Sequence, residues 1–462
     1  MVTLYENGIL GQLRSLVKNR TNPYVCVSEK IGDIDPLYFF YLGEEFSFEH
    51  RFYWSDPLNK TVYVGLGCSY SIETTQAVGR FLNIESEWKR FTAQVTINER
   101  QDGMRFGPVL FGGFSFDPLK RKTERWGCFP EGKFIVPILL LAVIEGNTWL
   151  TITVPTDYQE ENIARIEQLL AALQHDKDLP YALNAKCVKA LEVEKEAWIA
   201  AVSKATSDIQ SAKLEKVVLA REMRLLFDRK ISPSIVLGRL REQQPYSYIF
   251  ALQNGNDCFL GASPEQLVKK EGNVCYSTCL AGSIRRGKTL KEDEELGRWL
   301  LQDGKNLQEH RFVVEMIRKA MIDVCEEVVI PDTPSLLKVR DIQHLYTPVK
   351  GISCRPVSLF SLVEGLHPTP ALGGTPRETA IEKIREIEPL DRGWYAAPIG
   401  WIDMTGDGEF AVAIRSGLIQ GKEASIFAGC GVVGSSNIES EYEETKVKFR
   451  PMLSALGREE IE

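Results

Sequence analysis

Glu441, Glu444 and Lys448 are spaced i, i+3 and i+7. On a helix that spacing puts two carboxylates and an ammonium on one face. Just upstream, the apolar run 424–428 reads as a buried strand, broken by Gly429, Gly431 and Gly434. Glycine-freed backbone N–H groups beside a carboxylate stripe suit an anionic ligand held partly through a hard divalent cation. A glycine turn before a solvated acidic helix would have the same letters. Gly429-x-Gly431-x-x-Gly434 also matches the dinucleotide fingerprint. That fingerprint needs a helix, a second parallel strand and an acidic residue after it. The residues after Gly434 read as one helix, so the unit is not completed.

Four other residues have chemistry open to them. Glu309 continues, one turn earlier, the apolar stripe of Phe312, Val313, Met316, Ile317, Ala320 and Val324, so it points inward. A buried carboxylate needs either a salt bridge or a metal ion. Lys216 lies in Glu215-Lys-Val-Val-Leu-Ala-Arg, and alternation sets it on one strand face with Val218 and Ala220. Desolvated there, it would lose its proton readily and act as a base. On an edge strand it would simply face water. Glu265, in the turn Gly261-Ala-Ser-Pro-Glu, is a general acid if buried and a surface residue if not. The fork of Arg415 fits a carboxylate, or ends a sheet.

The whole chain limits what these residues can meet. It has 462 residues, 44% hydrophobic and 26% charged, with a formal net charge of −8. The acidic balance argues against nucleic acid. An anionic substrate must therefore be met by local cations. The ten cysteines show no C-x-x-C and the five histidines no zinc pattern, as expected of thiols in a reducing compartment. No signal peptide is read at the N-terminus. The longest apolar run, 134–144, is broken by Pro137 and falls short of the ~20 residues of a membrane helix. A cytoplasmic protein without a membrane segment is expected.

The elements that must position these groups alternate irregularly. Helices are expected over 1–20, 75–98, 157–174, 187–212, 232–243 and 291–327. Strands are expected through 22–75, including Tyr38-Phe-Phe-Tyr-Leu, and at 108–118, where Gly112 and Gly113 serve sheet packing. A hairpin is expected around Glu145-Gly-Asn. Further strands fall at 215–221, 246–253, 258–262, 266–270, 275–280, 338–346, 351–356, 394–403 and 409–419. Thr375-Pro-Arg-Glu378 reads as a capping box. The polar stretch 176–184, with Pro180, is the best candidate boundary. Many strands with inserted helices, and no regular βαβ alternation, predict an α+β fold built on large antiparallel sheets with helices packed outside.

With these residues in view, 190–455 resembles the chorismate-utilising enzymes, a family of isochorismate, salicylate, anthranilate and aminodeoxychorismate synthases. The resemblance rests on ordered blocks: Lys216-Val-Val-Leu-Ala-Arg, Gly261-Ala-Ser-Pro-Glu265, Leu280-Ala-Gly-Ser283, Glu309-His, His344-Leu-Tyr-Thr and His367-Pro-Thr-Pro-Ala-Leu. They continue with Asp391-Arg-Gly-x-Tyr395, Ala413-Ile-Arg415, Ala428-Gly-Cys-Gly and Glu441-x-x-Glu444-Thr-x-x-x-Lys448. Phe111-Gly-Gly-Phe-Ser-Phe-Asp resembles a block of the family's N-terminal region. Amine-transferring members lack a lysine at the position of Lys216, and aminodeoxychorismate synthases place a nucleophilic lysine where Ala281 stands here. The resemblance therefore implies the water-using isochorismate branch, with salicylate synthase as the alternative. The long N-terminal half is more similar to the menaquinone-pathway members.

The resemblance implies an anthranilate-synthase-component-I-like fold. In it a β-rich 1–185 packs on a catalytic 186–455 as one interwoven unit. It implies a Mg2+ ion on Glu309, Glu441 and Glu444 that binds the ring carboxylate of chorismate. Ala281, Gly282 and Ser283 would help hold the same end. Tyr395, Arg415 and the Gly429 turn would receive the enolpyruvyl carboxylate. Ala371 and Leu372 would line the pocket, and Lys448 would add positive charge. Lys216 would be the base, Glu265 the acid, and His344 the family histidine near the C4 hydroxyl or the pyruvyl end. No obligatory glutaminase subunit is implied. The sequence departs from the family at Ser283, where threonine is usual, and at Ala396-Ala397, where glycine is common at the second position.

Overall fold

The computed structural model describes residues 8–19, 22–98, 107–173, 185–212 and 214–458. Two large, mostly antiparallel sheets face each other. The thirteen-stranded sheet runs β10 (Cys187–Val193), β11 (Lys216–Phe227), β23 (Glu423–Val432), β22 (Ser416–Gln420), β13 (Asp257–Ser263), β12 (Tyr248–Asn254). It continues β2 (His50–Ser55), β3 (Thr61–Leu66), β8 (Leu139–Ile144), β9 (Asn147–Pro155), β1 (Tyr24–Ile31), β5 (Val95–Ile97). The short β19 (Gly374–Thr375) pairs with β11.

The ten-stranded sheet runs β16 (Glu327–Val329), β18 (Ile342–Ile352), β15 (Val274–Arg285), β14 (Gln266–Glu271), β21 (Gly408–Val412). It ends β20 (Pro398–Asp403), β6 (Val109–Phe114), β7 (Gly132–Val136), β4 (Tyr70–Thr74), with β17 (Ser335–Lys338) on β18. Eleven helices are described: α1 (Ile9–Asn19), α2 (Pro36–Glu45), α3 (Arg80–Thr92), α4 (Glu160–Ala172), α5 (Lys195–Gln210), α6 (Pro233–Gln243). The rest are α7 (Leu290–Leu300), α8 (Gly304–Ile322), α9 (Leu359–Leu366), α10 (Arg377–Ile387) and α11 (Ile438–Ala455).

Strand alternation divides the core in two. In β2, Phe52 and Trp54 face the ten-stranded sheet, and Tyr53 faces the outer helices. Between the sheets aromatic rings interlock; Phe52 stacks on Phe111 at 4.4 Å between centroids. Such a pair adds about 0.5–1.5 kcal/mol beyond its buried area. Gly112 and Gly113 permit this closeness, since a β-carbon would lie 2.0 Å from the Lys133 carbonyl oxygen and 2.6 Å from that of Pro398, respectively. Pro137 separates β7 from β8, which join different sheets. The β8–β9 hairpin turns at Glu145-Gly146, as its sequence predicts.

Several local expectations give way. Tyr38-Phe-Phe-Tyr-Leu lies in helix α2, not a strand. Asp35 caps it by accepting from Leu37 N at 2.9 Å, with Pro36 in the first turn. The N-terminal part of the expected helix 187–212 is strand β10, because it has β11 to pair with. The expected helix 291–327 is two helices, and Asp303 starts the second by capping Asn306 N. The capping box at Thr375 does not form; Thr375 belongs to β19, and Pro376 caps α10 with no side-chain bond. Gly429 and Gly431 do not break the strand before α11. They lie inside β23, paired opposite Ala220 and Val218. The expected boundary at 176–184 lies outside the described residues.

Candidate active site

The site forms where β11, β15, β18 and β23 meet helices α8 and α11. Lys216 opens β11 between β23 on one side and β19 on the other, so it is not on an edge. It is 2% exposed, and its Nζ donates to Glu309 Oε1 on α8. Burial alone would raise the Glu309 carboxyl, but the charge and hydrogen bond of Lys216 hold it below the usual range. Gly431 sits over this pair, and a β-carbon there would lie 2.9 Å from Lys216 Cε. Val218, two residues on, lines the pocket as alternation predicts.

Glu265 follows β13 and is buried, its amide bonded to Ser263 Oγ at 3.2 Å. Burial pushes its carboxyl up to about 8, against the opposing charges of Arg415, Lys216 and Lys448. It is therefore a protonated acid at neutral pH.

The register of β15 against β18 shifts between Leu280 and Ser283. Gly282 has φ +82° there, a left-handed value that suits glycine. His310, one residue after Glu309, fixes this bulge. Its Nδ1–H donates to the Ala281 carbonyl at 2.9 Å, and its Nε2 accepts from Thr347 Oγ1 at 2.7 Å. The bulge turns Ala281, Gly282 and Ser283 into the pocket. Opposite Ser283, His344 shares a 2.7 Å hydrogen bond with its Oγ through Nδ1. The His344 Nε2 is buried without a partner among the described residues. Burial, then Arg415 and Lys448, push this imidazole down to about 3, so it is neutral.

The far wall holds cations. Arg415 stands between β21 and β22 with φ +51°, not within a strand. Tyr395 packs on Phe427 at 5.3 Å, and burial pushes its phenol up to about 12. Lys448 on α11 donates to the Gly429 carbonyl at 2.9 Å and to Glu444. Arg392 is buried and forks onto Glu388, with both bonds at 2.7 Å. It also donates to the carbonyls of Leu372 at 3.0 Å and Val218 at 2.7 Å.

All of the sequence-predicted site residues except Lys216 line this one pocket; Lys216 reaches it through Glu309. Gly429 does so from a strand, not from the expected turn. Lys305, Asn306 and Arg392 also line it, beyond the residues to which the sequence points. Lys305 had a signal, since it precedes Glu309 by four residues and so shares its helix face. Arg392 lies in Asp391-Arg-Gly, a stretch that by itself gives the arginine no role.

Glu309, Glu441 and Glu444 border the same space, but no three acidic, histidine or cysteine side chains converge as ligands among the described residues. Glu309 turns to Lys216, Glu444 to Lys448, and Glu441 accepts from Ser436 Oγ at 2.6 Å. Burial raises the Glu441 carboxyl; Ser436 opposes this and the charge of Glu444 adds to it. Glu441 and Glu444, whose charges repel, and Glu309 across the same space are oxygen donors of the kind a small divalent cation takes.

A family model for chorismate-binding enzymes matches residues 11–457. The chain is 46% identical over 441 residues to isochorismate synthase MenF of Bacillus subtilis (strain 168), covering 94% of each chain. Its fold matches the solved structure of MenF, the menaquinone-specific isochorismate synthase from Escherichia coli. That match has a TM-score of 0.79 at 25% identity, over 97% of this chain and 99% of that one. Anthranilate synthase component I from Streptococcus pneumoniae shares the fold, with a TM-score of 0.67 at 19% identity over 94% and 92% of the two chains.

Proposed function

This chain belongs to the chorismate-binding enzyme family, and from that membership we propose that it is an isochorismate synthase of the menaquinone-pathway type. It takes chorismate to isochorismate by water attack at ring C2 and departure of the C4 hydroxyl. The observation that carries this reading is a buried lysine, Lys216, and a protonated carboxyl, Glu265, in and beneath one pocket. An amine-transferring site would need no such base.

Each residue then has a task. Lys216 accepts a proton from the attacking water, which requires it to be uncharged when water arrives. Glu265 donates its proton to the departing hydroxyl, which leaves as water, so the reaction is balanced with no net proton or water. Arg415 and Tyr395 receive the enolpyruvyl carboxylate. Ala281, Gly282 and Ser283 hold the ring carboxylate end. His344, neutral and hydrogen-bonded to Ser283, orients groups near C4 through Nε2. Ala371 and Leu372 shape the apolar side of the pocket, and Gly429 leaves room beside Tyr395.

Glu309, Glu441 and Glu444 would hold a magnesium ion, which when bound supplies positive charge for the substrate carboxylate. Lys448 adds to that charge in an otherwise acidic chain. The portions 1–185 and 186–455 act as one interwoven unit, since the thirteen-stranded sheet draws strands from both. The enzyme works in the cytoplasm without a glutaminase subunit.

The test is product analysis by liquid chromatography with mass detection, using chorismate and Mg2+ without ammonia. Isochorismate alone is expected. Salicylate with equimolar pyruvate would move the protein to the salicylate synthases. Product only on adding ammonia would overturn the role of Lys216.

A further inference from the structure

Two of the residues that line the active-site pocket are exposed, Lys305 on α8 and Glu444 on α11, so they mark its mouth. On the α11 side the charge is already spent, because Glu444 accepts from Lys448. Lys448 donates also to the Gly429 carbonyl at 2.9 Å. The buried Arg392 is spent on Glu388 and on two carbonyls. Lys305 differs from both. Among the described residues no hydrogen bond or ion pair engages its ammonium. Its charge bears on Glu309 and Glu441. Those carboxylates bond to Lys216 and Ser436 instead.

Nothing in the helix itself asks for a lysine at this place. Asp303 caps α8, and Lys305 is the second residue after the cap. A cation in the first turn opposes the helix dipole. A lysine four residues before a glutamate is also the weaker order of such a pair. Because the side chain is exposed, it fills no core. A residue that breaks local rules with no packing gain marks a functional place.

We propose that Lys305 is a substrate-binding residue, whose ammonium pairs with a carboxylate of chorismate at the mouth of the pocket. The role rests on the reading of this pocket as a chorismate site. A substrate with two carboxylates approaches a chain of net charge −8. Glu441 and Glu444 border the way in. An uncommitted cation at the mouth supplies the opposite charge where the substrate enters, and so raises its rate of capture. The contact is made before the chemistry and holds equally through it. Its loss therefore falls on kcat/KM and spares kcat.

The experiment is steady-state kinetics of chorismate consumption by the full chain, at constant Mg2+ and from low to high ionic strength. Lys305→Gln removes the charge and Lys305→Arg keeps it. Lys319→Gln, in the last turn of the same helix, changes the net charge equally. Lys305→Gln is expected to lower kcat/KM about tenfold at low salt and to flatten its fall with added salt. Its kcat, and the kcat/KM of Lys305→Arg and Lys319→Gln, should stay within about twofold of the parent. Its denaturant midpoint should not fall, since the lost cation opposed the helix dipole. Unchanged kcat/KM in Lys305→Gln would overturn the proposal. So would an equal loss in Lys319→Gln, or a loss carried by kcat. Calorimetry in a Lys216→Met background reads the same contact without turnover. There Lys305→Gln should weaken chorismate binding about tenfold, and equal affinity would also overturn the proposal. Product identity is read in the same kinetic runs. Salicylate in place of isochorismate would change the reaction assigned above and leave the Lys305 comparison intact, because both reactions start from chorismate.

Discussion

Lys216 Nζ is hydrogen-bonded to Glu309 Oε1 beneath Gly431. The pair joins two residues 93 positions apart, one opening a strand and one on a helix. It ties the buried end of β11 to a carboxylate of α8 that borders the pocket.

Gly431→Ala tests how closely that pair must be held. The new β-carbon would press on Lys216 Cε at 2.9 Å, whereas at Gly429 the nearest atoms are at 3.4 Å. Gly431→Ala is expected to lower kcat by about 100-fold, the scale of a small misplacement of a catalytic group. Gly429→Ala should stay within a few-fold. Equal effects in steady-state kinetics would show that the lid over Lys216 is not what matters.

Lys216→Met removes the base but keeps its bulk. Turnover is expected to fall by about 10²–10⁴, the usual worth of a general base. Calorimetry should still register Mg2+-dependent chorismate binding. Full activity in this variant would end the base assignment.

Glu265 sets the alkaline limit. Its carboxyl must be protonated to donate, and burial holds it at about 8. The kcat/KM is expected to fall with unit slope as pH rises through about 8. The same shift has a stability sign. The unfolded carboxyl titrates near 4.5 and the folded one near 8. Its contribution is thus full below about 4.5 and lost as pH rises toward 8. Glu265→Gln should flatten that part of the stability profile and abolish turnover; an unchanged pH–rate curve would assign the acid elsewhere.

Glu388→Ala should damage the fold more than the chemistry. It strands the buried Arg392 and leaves the Ala220 amide, now bonded to Glu388 at 2.7 Å, without its acceptor. Breaking such a buried pair costs about 3–5 kcal/mol. Denaturant titration should show this loss, and a change below about 1 kcal/mol would mean that water replaces the carboxylate readily.

Magnesium removal by a chelator should abolish turnover and be reversed by Mg2+. Glu444→Gln is expected to raise the Mg2+ concentration needed for half-maximal activity. The variant also frees Lys448 from its carboxylate partner. Activity that is indifferent to chelation would remove the metal from the scheme.

By itself the sequence determined the class of the fold and most of the residues that line the pocket. Alternation placed Lys216 and Val218 on one face, the helical period placed Glu441, Glu444 and Lys448 on another, and the apolar stripe of α8 carried Glu309 inward. These are local periodicities, and they survive folding because burial enforces them. Tertiary structure decided the rest. Tyr38-Phe-Phe-Tyr-Leu became a helix because Asp35 and Pro36 start one, and 187–193 became a strand because β11 offered it a partner. Gly429 and Gly431 read as breakers but lie in a strand, where ladder pairing outweighs the entropy cost of glycine. Above all, only the folded chain brought Glu309 to Lys216 and buried Glu265 among cations. A strand's charge state depends on what packs across it, and no spacing along one chain encodes that distance.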